Sequence, residues 1–559
     1  MIRAICAVLC LSMLNAPIFA DTIRGENLAL KSSGQASPGG WTLSQNGFVG
    51  TFVQLDTPGE MAITLDASGV GANSPRVNVV IGDAKASFEI ASAVSRYEHD
   101  FALPAGTHFV RVELVSRAAN PDQTVTIQDL SIRRGRILNE LTDANALAVS
   151  ETYINNFRKS EATVRLPDVA PGTPVQIKLV RKEFNFGTNA PGTDNIYLID
   201  NPPADSDAAR FQKFIIDHFN MIVPSNAGKW IFHEPSPGVV SMDYADAIMR
   251  FAKVHHIRGR MHTLLWDHVQ QPPWVIELLD RAVAGDQEAK KQLRQAISNR
   301  IKYYVRDRAT NYVELDVHNE SLHQEKYWKV FGAAGIANIF KEVQQAAKES
   351  GANPPPLLMT NEFNVLQWSR PVPSKGEVFD PYANWYRAHV EELIAAGAPV
   401  SVIGVQYNVD CRPEAQEKSP HSAARIFCAL QNLSVPGLPI TLTEFQIAPD
   451  ATPQQAARIY YELMRLLYGS PQVKSFLIWG FWAGNTPDLA VLANKDWTLT
   501  PAGRLYERLM KGWTTNVKAI VSSDRTISFT GHFGECEIIA GETTYRVTIA
   551  KGIQQYEAK

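Results

Sequence analysis

The chain has 559 residues, 45% of them hydrophobic and 20% charged, and 54 Lys and Arg against 57 Asp and Glu leave a net charge of -3. This is the make-up of a globular protein of roughly two to four domains; it excludes wholesale disorder and, with no long basic run, a dedicated nucleic-acid binder. Five Cys are too few for a disulfide scaffold, whereas 11 Trp and 17 Tyr supply the flat amphipathic rings that grip sugars or peptides.

Residues 1–20 read MIRAICAVLCLSMLNAPIFA. Arg3 precedes an apolar run from Ala4 to Leu14, and Ala20 offers a small residue before Asp21, which is the layout of a cleaved secretory signal peptide. A membrane span needs ~20 apolar residues, and Asn15 and Pro17 interrupt this one. The expectation is a secreted or periplasmic monomer without a membrane partner. Cleavage would leave Cys411, Cys428 and Cys536, so Cys411 and Cys428 are either bridged or all three are free thiols.

Residues 21–135 have the texture of a β-sandwich, with short strand-like pieces such as Ala62–Leu65, Arg76–Ile81, Phe109–Leu114 and Thr124–Ile127 between Gly, Pro, Ser and Asn. Residues 136–180 read as a linker helix and a β segment that turns at Pro171-Gly172. Over 181–515, short apolar strands alternate with amphipathic helices. The eight strand candidates are Phe184–Thr188, Met221–Pro224, Gly259–Leu265, Tyr312–Val317, Leu357–Thr360, Val402–Gln406, Ile440–Thr443 and Phe476–Trp479. Helical patterns such as Ala208–Phe219, Gln287–Arg306 and Ala337–Glu349 fall between them, which predicts a (β/α)8 TIM barrel of the α/β class. The alternative, a doubly wound sheet, calls for a phosphate-binding Gly turn after an early strand, and the sequence has none. Residues 516–559 return to a β-rich segment, fit either to close the barrel's base or to complete a sheet begun earlier.

In such a barrel, chemistry sits where strands end and βα loops begin. Those positions carry Asn226, Lys229 and Trp230; His262, Trp266, Asp267 and His268; Asn319 and Glu320; Glu362; Gln406 and Asn408; Glu444; and Trp479 and Trp482. Amides and imidazoles bond hydroxyls and indoles stack on pyranose faces, so this is a sugar-site composition. Glu320 and Glu444, at the ends of the fourth and seventh strands, lie across the mouth from each other. Retaining glycoside hydrolysis needs such a pair about 5–5.5 Å apart. No H-E-x-x-H, paired C-x-x-C or EF-hand loop is present, so no metal or cofactor is expected, and the absence of G-x-S-x-G disfavours a serine esterase.

The segments HTLLW (262–266), LDVHNE (315–320), NEFN (361–364), GVQYN (404–408), LTEFQI (442–447) and IWGFW (478–482) occur in this order. With EPSPG (234–238), they resemble glycoside hydrolase family 10, the endo-β-1,4-xylanases. The resemblance implies that Glu320 is the general acid/base and Glu444 the nucleophile. It implies that Asn319 binds the 2-hydroxyl of the sugar under attack, that Asn226, Lys229 and His262 hold the glycone, that Gln406 lies beside the nucleophile and that Trp479 floors the subsite. Trp266, Asn408 and Trp482 complete the expected sugar-binding set. The substrate it implies is xylan or a related decorated plant polysaccharide. Four departures fall on the glycone side. Ser225 stands where the family usually has a glutamate, and Asp267 and Asn408 stand where it usually has histidines, the second of which touches the nucleophile. Phe445-Gln446 replaces a hydrophobic-acidic pair. DHVQQPPW (267–274) also carries an extra residue relative to the family pattern. The contrasting reading is a polysaccharide-binding protein with a degenerate barrel. The first domain resembles carbohydrate-binding jelly rolls in texture, with Trp41 and Tyr97 as either sugar platforms or core aromatics.

Overall fold

The computed structural model describes residues 20–558 except 33, 45, 72, 116–121, 191–196, 368 and 371–379. The signal-peptide segment therefore lies outside the described residues. The chain divides into two compact units, Met1–Leu141 and Thr142–Lys559.

The first unit is a sandwich of two six-stranded antiparallel sheets. One is centred on Gly59–Val70 and Thr124–Arg133, the other on Phe48–Leu55 and Gly106–Val115. Val49, Val53, Val110 and Val112 from the second sheet and Leu65, Ile127 and Leu130 from the first are buried, as alternating strands over one core require. Trp41 is only 7% exposed and belongs to that core. The Tyr97 hydroxyl accepts from the Ala91 backbone N–H, a structural use of its polar tip.

The second unit holds a closed barrel of eight parallel strands: β1 (Asn185–Ala190), β2 (Met221–Pro224), β3 (Arg258–Met261), β4 (Glu314–Asn319), β5 (Leu357–Glu362), β6 (Val402–Val409), β7 (Ile440–Ile447) and β8 (Val473–Ile478). Every residue of β1, β2 and β4 is buried, the pattern of strands covered on both faces. Helix starts follow capping chemistry. Thr452 and Gln455 form a reciprocal capping box with Pro453 behind it, and Asp286 accepts from the N–H groups of Glu288 and Ala289. Two predicted helices differ from the pattern. Gly332, at φ +62°, breaks a helix that runs Lys326–Glu349, hiding its first turns from a periodicity count. The helix Gln287–Arg300 ends in a π turn, Ile301–Arg306.

A helix at Asp143–Phe157 leads to strands Lys159–Arg165 and Pro174–Lys182. The C-terminal strands complete these sheets. Thr526–His532 pairs with Lys159–Arg165, while Asn516–Ile520 and Gly534–Ala540 flank Pro174–Lys182. Val164, Ile177, Ile527, Cys536 and Ile538 share one buried core. Arg158 donates to the carbonyls of Tyr468, Ser470 and Val473, tying this small sandwich to the barrel. Cys411, Cys428 and Cys536 are all free, so the bridged alternative for Cys411 and Cys428 is not adopted. Cys428 is buried and bonded by Asn432 Nδ2. No described helix is long and apolar enough to cross a membrane.

Candidate active site

Glu320 follows β4 in the left-handed region, at φ +56°. For a non-glycine residue that conformation costs about 1–3 kcal/mol and concentrates at functional positions. It is held by the Glu320 N–H donating to Asn361 O at 2.6 Å and by the Gln324 N–H donating back to Glu320 O at 2.7 Å. The carboxylate accepts from Trp266 Nε1 at 2.7 Å and from Gln406 Nε2 at 3.0 Å. Gln406 pairs in register with Glu444 along β6 and β7, yet its amide bonds Glu320. It therefore sits beside the expected nucleophile in backbone and serves the other carboxylate in side chain. Burial raises the Glu320 pKa above the usual carboxylate value, and the two N–H donors pull the other way.

Glu444, in β7, keeps 13% of its side chain exposed, and its Oε1 has no hydrogen-bond partner among the described residues. His262 Nδ1 lies 3.9 Å from that oxygen. Burial pushes Glu444 up to about 8; Arg260 and Lys229 act against the rise and Glu320 adds to it. Two carboxyls so placed titrate as a unit. The donors on Glu320 and the bare Oε1 of Glu444 favour Glu444 as the resting seat of the pair's proton.

Beneath them lies a buried polar network. Asp316 accepts from Arg260 NH2 at 2.8 Å and His262 Nδ1 at 3.0 Å, with Asn361 Nδ2 at 3.4 Å. Burial lowers the His262 pKa to about 4, so the ring is neutral, with its Nδ1–H turned to Asp316. Asn361 Nδ2 also donates to Asn319 Oδ1 at 2.8 Å, which fixes the Asn319 amide and leaves its Nδ2 without a partner among the described residues. The Thr443 hydroxyl lies 2.7 Å from Asn361 Oδ1 and completes the chain.

On the glycone side, Ser225 and Asn226 enter a short 3-10 turn after β2. A Cβ at Gly228 would sit 1.9 Å from His262 O, so only glycine lets this turn pack against the end of β3. The turn brings Lys229 Nζ to Asn226 Oδ1 at 2.8 Å, to Gln270 Oε1 at 2.7 Å, and 5.0 Å over the Trp266 ring. Burial lowers the Lys229 pKa, while Glu444 and Glu320 support its charge. His268 stacks on Trp266 at 4.0 Å. Asp267 turns away, accepting from the Lys326 N–H at 3.2 Å. Glu362 accepts from His323 and from the N–H groups of Leu322 and Phe363, fixing the loop after β4.

The structure thus gathers Glu320, Glu444, Lys229, His262, Trp266, Asn226, Asn319 and Gln406 into one connected set. Trp479 joins it through an edge contact with His262 at 5.6 Å. Trp482 does not belong to it. Its ring is 3% exposed, stacks on Trp497 at 4.3 Å and meets Phe211 and Tyr197 edge-on, which is a packing role. Trp230 is likewise buried, under the Arg300 guanidinium at 4.9 Å. The Asn408 backbone carbonyl is 3.4 Å from Gln367 Nε2, and no bond joins the Asn408 side chain to Glu444 among the described residues. Gln270 was not expected from the sequence. Only its place four after the strand-three Trp266 could have pointed to it.

Residues 189–498 match glycosyl hydrolase family 10. The chain belongs to glycosyl hydrolase family 10. It is similar to anti-sigma-I factor RsgI6 of Acetivibrio thermocellus, 27% identical over 409 residues covering 71% of this chain and 45% of that protein. Endo-1,4-beta-xylanase 1 of Arabidopsis thaliana is 25% identical over 370 residues, covering 65% of this chain and 34% of its own length. The chain thus spans less than half the length of either relative. Xylanase 10B of Thermotoga petrophila, solved with xylobiose, is 20% identical with a TM-score of 0.47, covering 59% of this chain and 94% of that one.

Proposed function

We propose that this family 10 protein is an exported, monomeric, retaining glycoside hydrolase that cleaves β-1,4-linked xylan or a related decorated polysaccharide by double displacement. The observation that carries the reading is the pairing of Glu320, bonded by Trp266 and Gln406, with Glu444, whose Oε1 is bare beside a neutral His262. In the first step the Glu444 carboxylate attacks the anomeric carbon. The bond to the leaving oxygen breaks, and that oxygen takes the Glu320 proton. In the second, water attacks the same carbon, Glu320 accepts its proton, and the ester to Glu444 breaks. Turnover needs the shared proton on Glu320, opposite to its resting place. A sugar 2-hydroxyl donated to Glu444 supplies the hydrogen bond that Oε1 lacks, lowers that pKa and moves the proton across. Asn319 Nδ2 is the free donor for the same hydroxyl, and Lys229 and Asn226 take the next ones. Export rests on residues 1–20.

The test incubates the purified mature chain with β-xylans, β-glucans and mannans. It measures reducing ends and follows the anomer first released by proton NMR. Release from xylan with retained configuration supports the reading; inverted product refutes double displacement. No release from any polymer, with one of them still bound, would favour a binding protein on a degenerate barrel. A mature N-terminus at Asp21 supports export, and one at Met1 refutes it.

A further inference from the structure

On the barrel's flank, the loop after β2 and the helices Pro273–Val283 and Gln287–Arg300 enclose a groove of about 420 Å³, within the range of small-ligand sites. None of the residues gathered in the candidate active site lines it. Its wall is the Trp274 indole, held by Nε1–H donating to Glu234 O at 3.2 Å and by the edge-on Trp230 ring at 5.8 Å. Val240, Leu278 and Ala296 add apolar surface. Along the rim, Gln292, Gln295 and Asn299 are exposed and share one helix face by their spacing. Gln292 Nε2 donates to Glu288 and Gln295 Nε2 donates to Asn299 Oδ1. That leaves the two glutamine Oε1 atoms and Asn299 Nδ2 for a ligand.

The charge pattern selects the ligand class. Among the described residues, Glu234 is the one charged member of the lining, and its carboxylate is already occupied by Trp230 Nε1, the Tyr303 hydroxyl and the Gly238 N–H. An anion would find no cation in this lining, and a cation would find no free carboxylate. A neutral ligand with one apolar face and hydroxyl edges matches an indole wall with an amide rim. We propose that this groove is a second polysaccharide-binding site, which holds a neutral β-linked sugar chain on the flank of the catalytic barrel. The inference rests on the polysaccharide reading of the cleft. Because the indole is fixed before binding, little ordering is lost when a sugar stacks on it.

The test compares the full mature chain with its Gln292→Ala/Gln295→Ala/Asn299→Ala variant. These positions are exposed and alanine is a strong helix former, so the fold is kept. Retardation is measured in native gels containing soluble β-xylan, mixed-linkage β-glucan or β-mannan, with both chains carrying Glu320→Gln to stop digestion. The expected result is retention weakened on the order of tenfold on the polymer that retards the parent, as the loss of a few hydrogen bonds predicts. With Glu320 restored, KM for that polymer rises while turnover of a short aryl glycoside is unchanged. Equal retention and equal polymer KM overturn the proposal, as does a parent chain that no polymer retards. Weakened retention in a chain that releases no reducing ends keeps this site and refutes the hydrolase reading. Release with unaltered retention and unaltered KM does the reverse.

Discussion

Replacing Glu444 by Gln removes a carboxyl that burial holds near 8, against an ordinary 4.5. In the unfolded chain this group ionises above about 4.5, whereas in the folded chain it keeps its proton to about 8. A carboxyl raised in this way gives stability that is fully present below 4.5 and lost as pH rises through 8. A gap of roughly 3.5 units at 1.36 kcal/mol per unit makes the full loss about 5 kcal/mol, an upper bound because Glu444 is 13% exposed. Glu444→Gln is nearly isosteric and cannot ionise, so it escapes the loss. The variant should match the parent at pH 4.5 and exceed it by several kcal/mol at pH 8.5. For a unit of roughly 400 residues, 5 kcal/mol corresponds to about 5–6 °C in melting temperature. Thermal unfolding at both pH values, together with loss of turnover, checks this. A stability difference that does not change with pH, or a variant less stable at pH 8.5, refutes the placement of the proton.

Glu320→Gln should lower polysaccharide turnover by about 10²–10⁴, and far less for aryl glycosides whose leaving group needs no acid, as paired kinetics would read. Asn408→His should place a donor near Glu444 and favour its anion, moving the acid limb of kcat/KM to lower pH; an unmoved limb counts against the reading. Trp482→Ala should cost about 3–5 kcal/mol of stability, because the ring is core, with KM unchanged in the enzyme that remains folded. Asp316→Asn should lower kcat/KM by loosening His262 and leave the far side of the barrel intact, as checked by kinetics alongside near-UV circular dichroism.

The barrel is legible because short, largely buried strands alternate with amphipathic helices, and because chemistry-bearing residues stand at the strand ends. Glu320, Asn319 and Glu444 could be found that way. Side-chain reach could not. Gln406 is the register partner of Glu444 but its side chain spans to Glu320, and Trp482 follows the same strand end as Trp479 but turns into Phe211 and Trp497. Both outcomes depend on rotamers set by neighbours distant in sequence. Gln270 lies in the loop after β3, where strand-end counting does not reach, and only the side chain of Lys229 ties it to the site. The fate of the tail was open for a similar reason: an edge strand carries the same alternation whichever sheet it joins.

The pairing of Lys159–Arg165 and Pro174–Lys182 with strands after Asn516 makes the barrel an insertion within the small sandwich. During synthesis, the strands at 159–182 emerge first and wait for partners roughly 330 residues away, about half a minute at ordinary elongation rates. Until then their apolar faces, including Val164 and Ile177, have no sheet to cover them. A fragment cut at the limits of the family match, 189–498, would discard both halves of this clasp together with the helix Pro501–Gly512. The barrel is therefore best expressed with its flanks from Thr142 onward, since the chain closes around it only once the last strands arrive.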